Sequence, residues 1–314
     1  MTGWAVLCSG QGAQAPDLFG RLAAFDARPV LDQVLAGRWL APESAACLAG
    51  PAAARVAVYR NACAQPLICL YQQIVWRAIR DRTPAPALLA GLSLGELSAY
   101  GCAGSLDLRD LLHAARVRAG CMDRAAPEGV MVSVRGLDGA ALQAVCADQG
   151  ASLAVRLDGE RATLACLKEK LDAVLAACRA AGARDAAPLA VGTASHSPWM
   201  APAVPPFLEA LRGLPIRAPL VPVLAGATGA KVFDRESVIQ TLGRQLQETV
   251  RWDVCMAAMI EQGCRVFLEL GPGAGLARLM GAAWPGVEAR SVDEFRSPAG
   301  VAQWVRAALD RQAA

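Results

Sequence analysis

Ser93 stands in Gly91-Leu92-Ser93-Leu94-Gly95-Glu96, between an apolar run at 85–90 and Leu97-Ser98-Ala99-Tyr100, a stretch with helical character. Gly-x-Ser-x-Gly at a strand-to-helix junction is the pattern of a nucleophile elbow, whose small neighbours let strand and helix backbones nearly touch. The serine hydroxyl then projects above the sheet edge. The helix N-terminus and the Leu94 N–H lie ready to stabilise negative charge beside it. A serine so placed needs a base, and the chain has two histidines. His196, in the loop Thr193-Ala194-Ser195-His196-Ser197-Pro198, is the better candidate, because His113 falls within a helical stretch. Arg118 offers a third function. A guanidinium holds a free carboxylate through two charge-assisted hydrogen bonds, which would fix a dicarboxylic acyl group while its other end reacts.

Two reaction classes use such a set. An α/β-hydrolase orders its triad as serine, acid and histidine along the chain. Asp107, Asp110 and Asp123 lie between Ser93 and His196, but none has a strand-end setting. A serine acyltransferase can orient its histidine with a backbone carbonyl instead. A third reading has no chemistry: Ser93 is a turn residue at the core edge of a non-catalytic subunit.

The elements that would position these residues are legible from periodicity. Trp4-Ala5-Val6-Leu7-Cys8 predicts a first strand, followed by the glycine-punctuated turn Ser9-Gly10-Gln11-Gly12-Ala13-Gln14. Open α/β sheets place their ligands at that strand end. The turn carries neither complete phosphate-binding pattern, and its other use is to bring a backbone N–H beside Ser93. Residues 61–80 have apolar positions at helical spacing, with Pro66 read as part of the first turn. Residues 108–126 predict a long helix presenting Leu108, Leu111, Leu112, Ala115, Ala119 and Met122 on one face.

From Val130 the texture changes. Strand 130–134, helix 139–148, strands 152–157 and 161–164 around an Asp158-Gly159 turn, helix 168–180 and the run Leu189-Ala190-Val191 follow one another. This β-α-β-β-α-β order is the ferredoxin-like signature. It is inserted rather than appended, because α/β texture resumes with strand 220–224, helices 238–251 and 253–261, strand 265–270 and a C-terminal helix.

Composition excludes several classes. The chain has 314 residues, 54% of them hydrophobic, yet no uncharged apolar stretch approaches the ~20 residues that cross a bilayer. The first ten residues lack a basic region, so no signal peptide is expected. Eleven cysteines, an odd and scattered set, indicate reduced buried thiols, and with only two histidines a metal site is not expected. Acidic and basic residues are interspersed at a net charge of +3, without a basic block for nucleic acid. The expectation is a cytoplasmic protein.

Five stretches in order carry a resemblance: Gly10-Gln11-Gly12-Ala13-Gln14, Gly91 to Glu96, Arg118 with Met122 and Pro127-Glu128-Gly129, Ser195-His196, and Glu269-Leu270-Gly271-Pro272-Gly273. Together they resemble the malonyl-CoA:acyl-carrier-protein transacylases, over almost the whole chain. The resemblance implies Ser93 as nucleophile and His196 as base. It also implies an oxyanion hole from the Gln11 and Leu94 N–H groups and a malonyl clamp at Arg118. The carbonyl that steers the histidine falls at Arg251, a position that usually carries glutamine in the family. The implied architecture is a hydrolase-like large α/β domain with a parallel-sheet core, residues 1–126 and 192–314. An inserted ferredoxin-like subdomain spans 127–191.

Leu92 stands where the enzymes of fatty-acid synthesis commonly have histidine, and Thr193-Ala194-Ser195-His196 differs from the signature of many malonyl-selective polyketide acyltransferases. With 99–104, 263–269 and 289–296, Leu92 looks most similar to the epsilon subunit of bacterial malonate decarboxylase. That resemblance implies malonyl-CoA as donor and no bound cofactor. The acceptor is the decarboxylase's small acyl-carrier subunit, bearing a CoA-like prosthetic group, and other decarboxylase subunits are further partners. The alternatives are the transacylase of fatty-acid or polyketide synthesis, a serine hydrolase of acyl thioesters, and the non-catalytic subunit.

Overall fold

The computed structural model describes residues 3–50, 52, 55–125, 128–189 and 191–313. Two sheets organise it. The first has six strands in the order β11-β10-β1-β2-β7-β8, where β1 is Gly3–Cys8, β2 Leu88–Gly91, β7 Val223–Leu224, β8 Lys231–Val232, β10 Cys264–Glu269 and β11 Glu288–Ser291. All its pairings are parallel except β7 with β8. Helices cover both faces, which is why β1 and β2 are near-continuous apolar runs rather than alternating ones.

The second sheet, in the order β6-β3-β5-β4-β9, is built from β3 (Gly129–Arg135), β4 (Ser152–Arg156), β5 (Arg161–Leu167), β6 (Asp185–Pro188) and β9 (Val250–Arg251). Its first four strands are antiparallel in the ferredoxin-like order. They bury their own core, including Val132, Leu164 and Val174, against helices Gly139–Gln149 and Leu171–Ala180. The fifth strand comes from far downstream and pairs in parallel with β4, so chain beyond the ferredoxin-like run completes its sheet.

The helices that bear on the site are α1 (Asn61–Ile79), α2 (Leu94–Cys102), α3 (Leu108–Ala125), α4 (Arg235–Arg244) and α5 (Trp252–Glu261). All six residues expected on the inner face of α3 are buried. No helix among the described residues is long and apolar enough to cross a membrane.

Several local expectations are corrected. Pro66 lies in the interior of α1, which begins five residues earlier, rather than in its first turn. Proline lacks the N–H that would bond Ala62 O, and the buried Ser44 hydroxyl donates to that carbonyl instead, at 3.4 Å. The 157–160 turn is wider than a two-residue hairpin, because the Asp158 carboxylate accepts the N–H groups of Glu160 and Arg161. The strand expected at 189–191 ends at Pro188, and Ala190 lies outside the described residues. Residues 126 and 127, the expected start of the insertion, lie outside them too. The helix expected over 238–251 stops at Arg244, and its last two residues are instead strand β9.

The junction of β2 and α2 is set by backbone sterics. A Cβ on Gly91 would sit 2.0 Å from the Gly95 carbonyl carbon, and one on Gly95 would sit 1.9 Å from Cys8 O. A Cβ on Gly10 would meet Leu92 O at 2.7 Å. None of these obstacles is a side chain that could swing away. Gly91→Ala and Gly95→Ala are therefore expected to cost about 3 kcal/mol or more each, read by thermal or urea unfolding. Gly281→Ala, at an exposed position of helix Gly275–Ala283 with open space around the new methyl, is expected to gain about 0.5 kcal/mol in the same assay.

Candidate active site

Ser93 sits between β2 and α2 at φ 55°, ψ −113°, a conformation that costs a non-glycine residue about 1–3 kcal/mol and persists only where surroundings enforce it. Its carbonyl accepts the Glu96 N–H, and the Gly95 N–H donates to Leu92 O, so the strained residue is locked from both sides. Ser93 Oγ lies 2.7 Å from His196 Nε2. His196 is itself in the left-handed region at φ 59°, with its N–H donating to Leu246 O at 2.9 Å. Its Nδ1 lies 2.7 Å from Gln245 O. A carbonyl can only accept, so Nδ1 carries the proton and Nε2 presents a lone pair to the serine.

The steering carbonyl is thus Gln245 O, and the expectation of Arg251 is corrected. Arg251 lies in β9, its N–H donates to Gly226 O, and its guanidinium pairs with Asp253. The misplacement follows from the helix boundary. Because α4 ends at Arg244 rather than 251, the first residue past its end is Gln245, and its carbonyl meets the imidazole. A signal existed: the glutamine usual at this position in the resembling family is present, six residues earlier than assigned. No aspartate takes this place. Asp123 accepts from Asn61 Nδ2 at 2.6 Å, and Asp107 Oδ1 accepts the Asp110 N–H. The other histidine, His113, lies on the outer part of α3 beside Arg116.

Arg118 lies on the inner face of α3 and is 1% exposed. Its Nη1 donates to Gln65 Oε1 at 3.0 Å, and its Nη2 to Gln245 Oε1 at 3.1 Å and Ser93 Oγ at 3.4 Å. No carboxylate contacts it, and its Nε has no hydrogen-bond partner. A buried guanidinium so held is short of an anion. Burial pushes its pKa down to about 10, which leaves it charged at neutral pH.

The turn after β1 is tethered beside the elbow. Gln72 Nε2 donates to Ser9 O at 2.9 Å and Gly271 O at 2.6 Å, joining this turn to the Gly271-Pro272-Gly273 loop. Gln11 Nε2 donates to Asn61 Oδ1, which links it through Asn61 to Asp123 on α3. Gln11 and Ser93 face one cavity of about 170 Å³ together with Arg118, His196, Leu92 and Met122. Its far wall, Met131, Val155, Leu157 and Thr163, comes from the ferredoxin-like run. Leu94 is the first residue of α2, so its N–H has no acceptor within the helix. Among the described residues no group of histidine, cysteine, aspartate and glutamate side chains could hold a metal ion.

The residues that sequence reasoning missed are Gln65, Gln245 and the inward face of Glu96. Glutamines carry no charge or nucleophile to mark them, and Glu96 was legible only as a letter of the elbow motif.

The acyl transferase domain family matches residues 51–296. The chain belongs to the acyl transferase family. The malonyl CoA-acyl carrier protein transacylase of Escherichia coli K12 is 31% identical over 295 residues, covering 89% of this chain and 92% of its own. That of Bacillus subtilis is 30% identical over 230 residues, covering 69% and 71%. The malonyl-CoA:acyl carrier protein transacylase structure from Xanthomonas oryzae aligns with a TM-score of 0.86 at 30% identity over 98% of both chains. A type II polyketide malonyl-transacylase solved with its acyl-carrier protein aligns at 0.85 and 28% identity, over 96% of this chain and 99% of that one. The acyltransferase therefore has an α/β fold with a hydrolase-like core and a ferredoxin-like subdomain.

Burial and the nearby Arg118 cation push the His196 pKa down to about 3, so the imidazole stays neutral far below the ordinary histidine range. Modification of Ser93 by a sulfonyl fluoride is expected to keep a constant rate from pH 8 to about 5. An inflection near the ordinary value of about 6.5 would show the base to be solvated instead.

Proposed function

We propose that this chain is a malonyltransferase working through a malonyl-serine ester. The observation that carries the reading is the convergence on one hydroxyl. His196 Nε2 lies 2.7 Å from Ser93 Oγ, while the buried Arg118 Nη2 lies 3.4 Å from the same atom. A base and an unpaired cation facing one nucleophile suit an acyl group with a carboxylate at its other end.

In the first half-reaction His196 Nε2 takes the Ser93 proton as Oγ attacks the thioester carbonyl of malonyl-CoA. Charge on the tetrahedral oxygen is held by the N–H groups of Gln11 and Leu94, each such donor being worth about 3 kcal/mol. CoA leaves with the proton from His196. In the second, the carrier's thiol gives its proton to His196 and attacks the ester, regenerating Ser93. Gln245 O replaces the acid of a hydrolase triad. It orients the imidazole without a full negative charge behind it, and the reading requires no bound cofactor or metal.

The curated relatives are transacylases serving acyl carrier proteins, and one aligned structure is of such an enzyme with its carrier. They support a carrier of the fatty-acid or polyketide type, bearing a phosphopantetheine-like thiol, better than the malonate decarboxylase carrier. Leu92, a wall of the cavity, is the residue on which the decarboxylase resemblance leans. Transfer to purified carriers of each type separates the two, and preference for the decarboxylase carrier would reverse the choice.

Brief incubation with labelled malonyl-CoA is expected to leave label on Ser93, and Ser93→Ala to abolish it. Label on a cysteine, or malonate released to water as fast as it is transferred, would sink the scheme. Arg118→Ala is expected to lower kcat/KM for malonyl-CoA by about 3 kcal/mol, roughly a hundredfold, and for acetyl-CoA far less. Equal losses on both substrates would remove the clamp role.

A further inference from the structure

Glu96, the third residue of α2, is fully buried and does not line the catalytic cavity. Its Oε2 accepts the Gly226 N–H at 2.9 Å and a hydrogen from Gln245 Nε2. Its Oε1 has no partner. A Cβ on Gly226 would lie 2.7 Å from Oε2, so that glycine leaves room for the carboxylate. Burying a carboxyl with one oxygen unsatisfied is costly, and the surroundings show what it does there.

Both hydrogens of the Gln245 amide point at acceptors, Ser93 O at 3.0 Å and Glu96 Oε2, while its Oε1 accepts from Arg118 Nη2. The opposite amide orientation would set Oε1 against a carbonyl and a carboxyl, and Nε2 against the guanidinium. Glu96, together with Ser93 O and Arg118, therefore fixes which way this amide faces. Gln245 also supplies the main-chain carbonyl that accepts from His196 Nδ1. One side chain beneath the elbow thus governs the Ser93 carbonyl, the Arg118 acceptor and the imidazole support.

We propose that Glu96 is the positioning residue of this site. Through Gln245 it fixes the groups that orient His196 and hold Arg118, and its negative charge weakens the grip of Arg118 on a malonyl carboxylate. The inference rests on the malonyltransferase reading. Arg118 lacks a carboxylate in contact; of the acidic groups that act on it, the Cys69 thiol is pushed up to about 12 by burial and stays neutral, which leaves Glu96, one amide away. When Glu96 is ionised, substrate meets a partly balanced cation. When it is neutral, the substrate supplies the missing charge.

Burial pushes the Glu96 pKa up to about 7 against the opposing pull of Gly226, Gln245, Arg118 and the Tyr100 hydroxyl, so its charge changes near neutrality. The groups facing it are few. Tyr100 is on the next turn of α2, Arg118 on α3 and Cys255 on α5, and α4 presents Thr241 and Asp234 to Tyr100. Burial raises Tyr100 and Cys255, and Arg118 remains charged, so none of these changes state between pH 6 and 8. Glu269, at the end of β10, is also raised to about 7, and a Glu96 variant distinguishes the two.

The test is steady-state kinetics of the full chain with malonyl-CoA and acetyl-CoA from pH 6 to 8. In the wild type KM for malonyl-CoA is expected to rise about threefold or more across this range, while KM for acetyl-CoA stays flat. Glu96→Gln is expected to abolish that rise, and Glu96→Ala to lower kcat with both substrates about tenfold through loss of alignment. Glu96→Gln recovers most of that loss, because its amide oxygen still accepts from Gly226 and Gln245. Glu96→Asp, which withdraws the carboxylate from Gln245, serves the kcat comparison if the alanine variant does not fold. A wild-type rise that persists in Glu96→Gln would overturn the charge role, and equal kcat in all variants the positioning role. A chain that never acquires a malonyl-serine overturns the parent reading instead, and labelling of the wild type distinguishes that failure.

Discussion

Everything at this site depends on how closely three stretches of backbone approach one another beneath Ser93. The turn after β1, the end of β2 and the start of α2 meet at separations that exclude a methyl group at Gly10, Gly91 and Gly95. That crowding holds Ser93 in a conformation it would not otherwise keep. It aims Oγ out of the sheet edge and into the cavity. It also carries Gln11 alongside, since the contact of Gly10 with Leu92 O is backbone against backbone. Ser93 and the neighbouring turn share one steric lock, so they cannot drift apart independently.

The second constraint is desolvation. Arg118, His196 and Glu96 are all buried within a few bonds of Ser93, and burial shifts each toward its neutral form. The consequences differ because the starting values differ. Arginine begins so high that it stays a cation, histidine becomes a base that remains unprotonated in mild acid, and glutamate is brought near neutrality. Their effects on folding oppose one another. Below about pH 6.5 the unfolded chain binds a histidine proton that folded His196 refuses, so stability falls as pH drops toward about 3. Glu96 and Glu269 bind protons more tightly when folded, so between about pH 7 and 4.5 they add stability as pH drops. Over the overlap the contributions partly cancel, which lets a buried charged cluster persist without steep acid sensitivity.

What could be read from sequence was what local sterics and residue chemistry announce. The elbow is a rule about backbone clearance, so its glycines and serine were visible, as was the inner face of α3 through its apolar period. His196 stood out as one of two histidines, whereas Arg118, one of many arginines, was singled out by the family resemblance and the carboxylate chemistry it suggested. Gln245 was not visible in its role, because every residue has a carbonyl and only the chain's path decides which one meets an imidazole. That path turned on where α4 ends, and an apolar period from Val238 onward does not mark the stop at Arg244. Pro66 misled in the same way. Its missing N–H is tolerated inside α1 only because Ser44, distant in sequence, satisfies the carbonyl left over.

The pairing of β9 with β4 explains why the helix end and the His196 support were misplaced together. Residues 245–251 leave α4, pass beneath His196 at Gln245 and Leu246, and then join the sheet of the ferredoxin-like run at Val250 and Arg251. One short stretch therefore supports the His196 imidazole at one end and anchors the opposite wall of the cavity at the other. Thr249 strengthens that seam by donating to Leu153 O at 2.6 Å. Met131, Val155, Leu157 and Thr163, which close the cavity over Ser93, depend on this attachment for their distance from its hydroxyl. Under the malonyltransferase reading, acyl-group selectivity and base alignment are thus coupled through a segment in which Gln245 is the side chain that reaches Ser93 and Arg118. A substitution within 246–250 that loosens β9 would shift both together, whereas one in the cavity wall itself would shift selectivity alone.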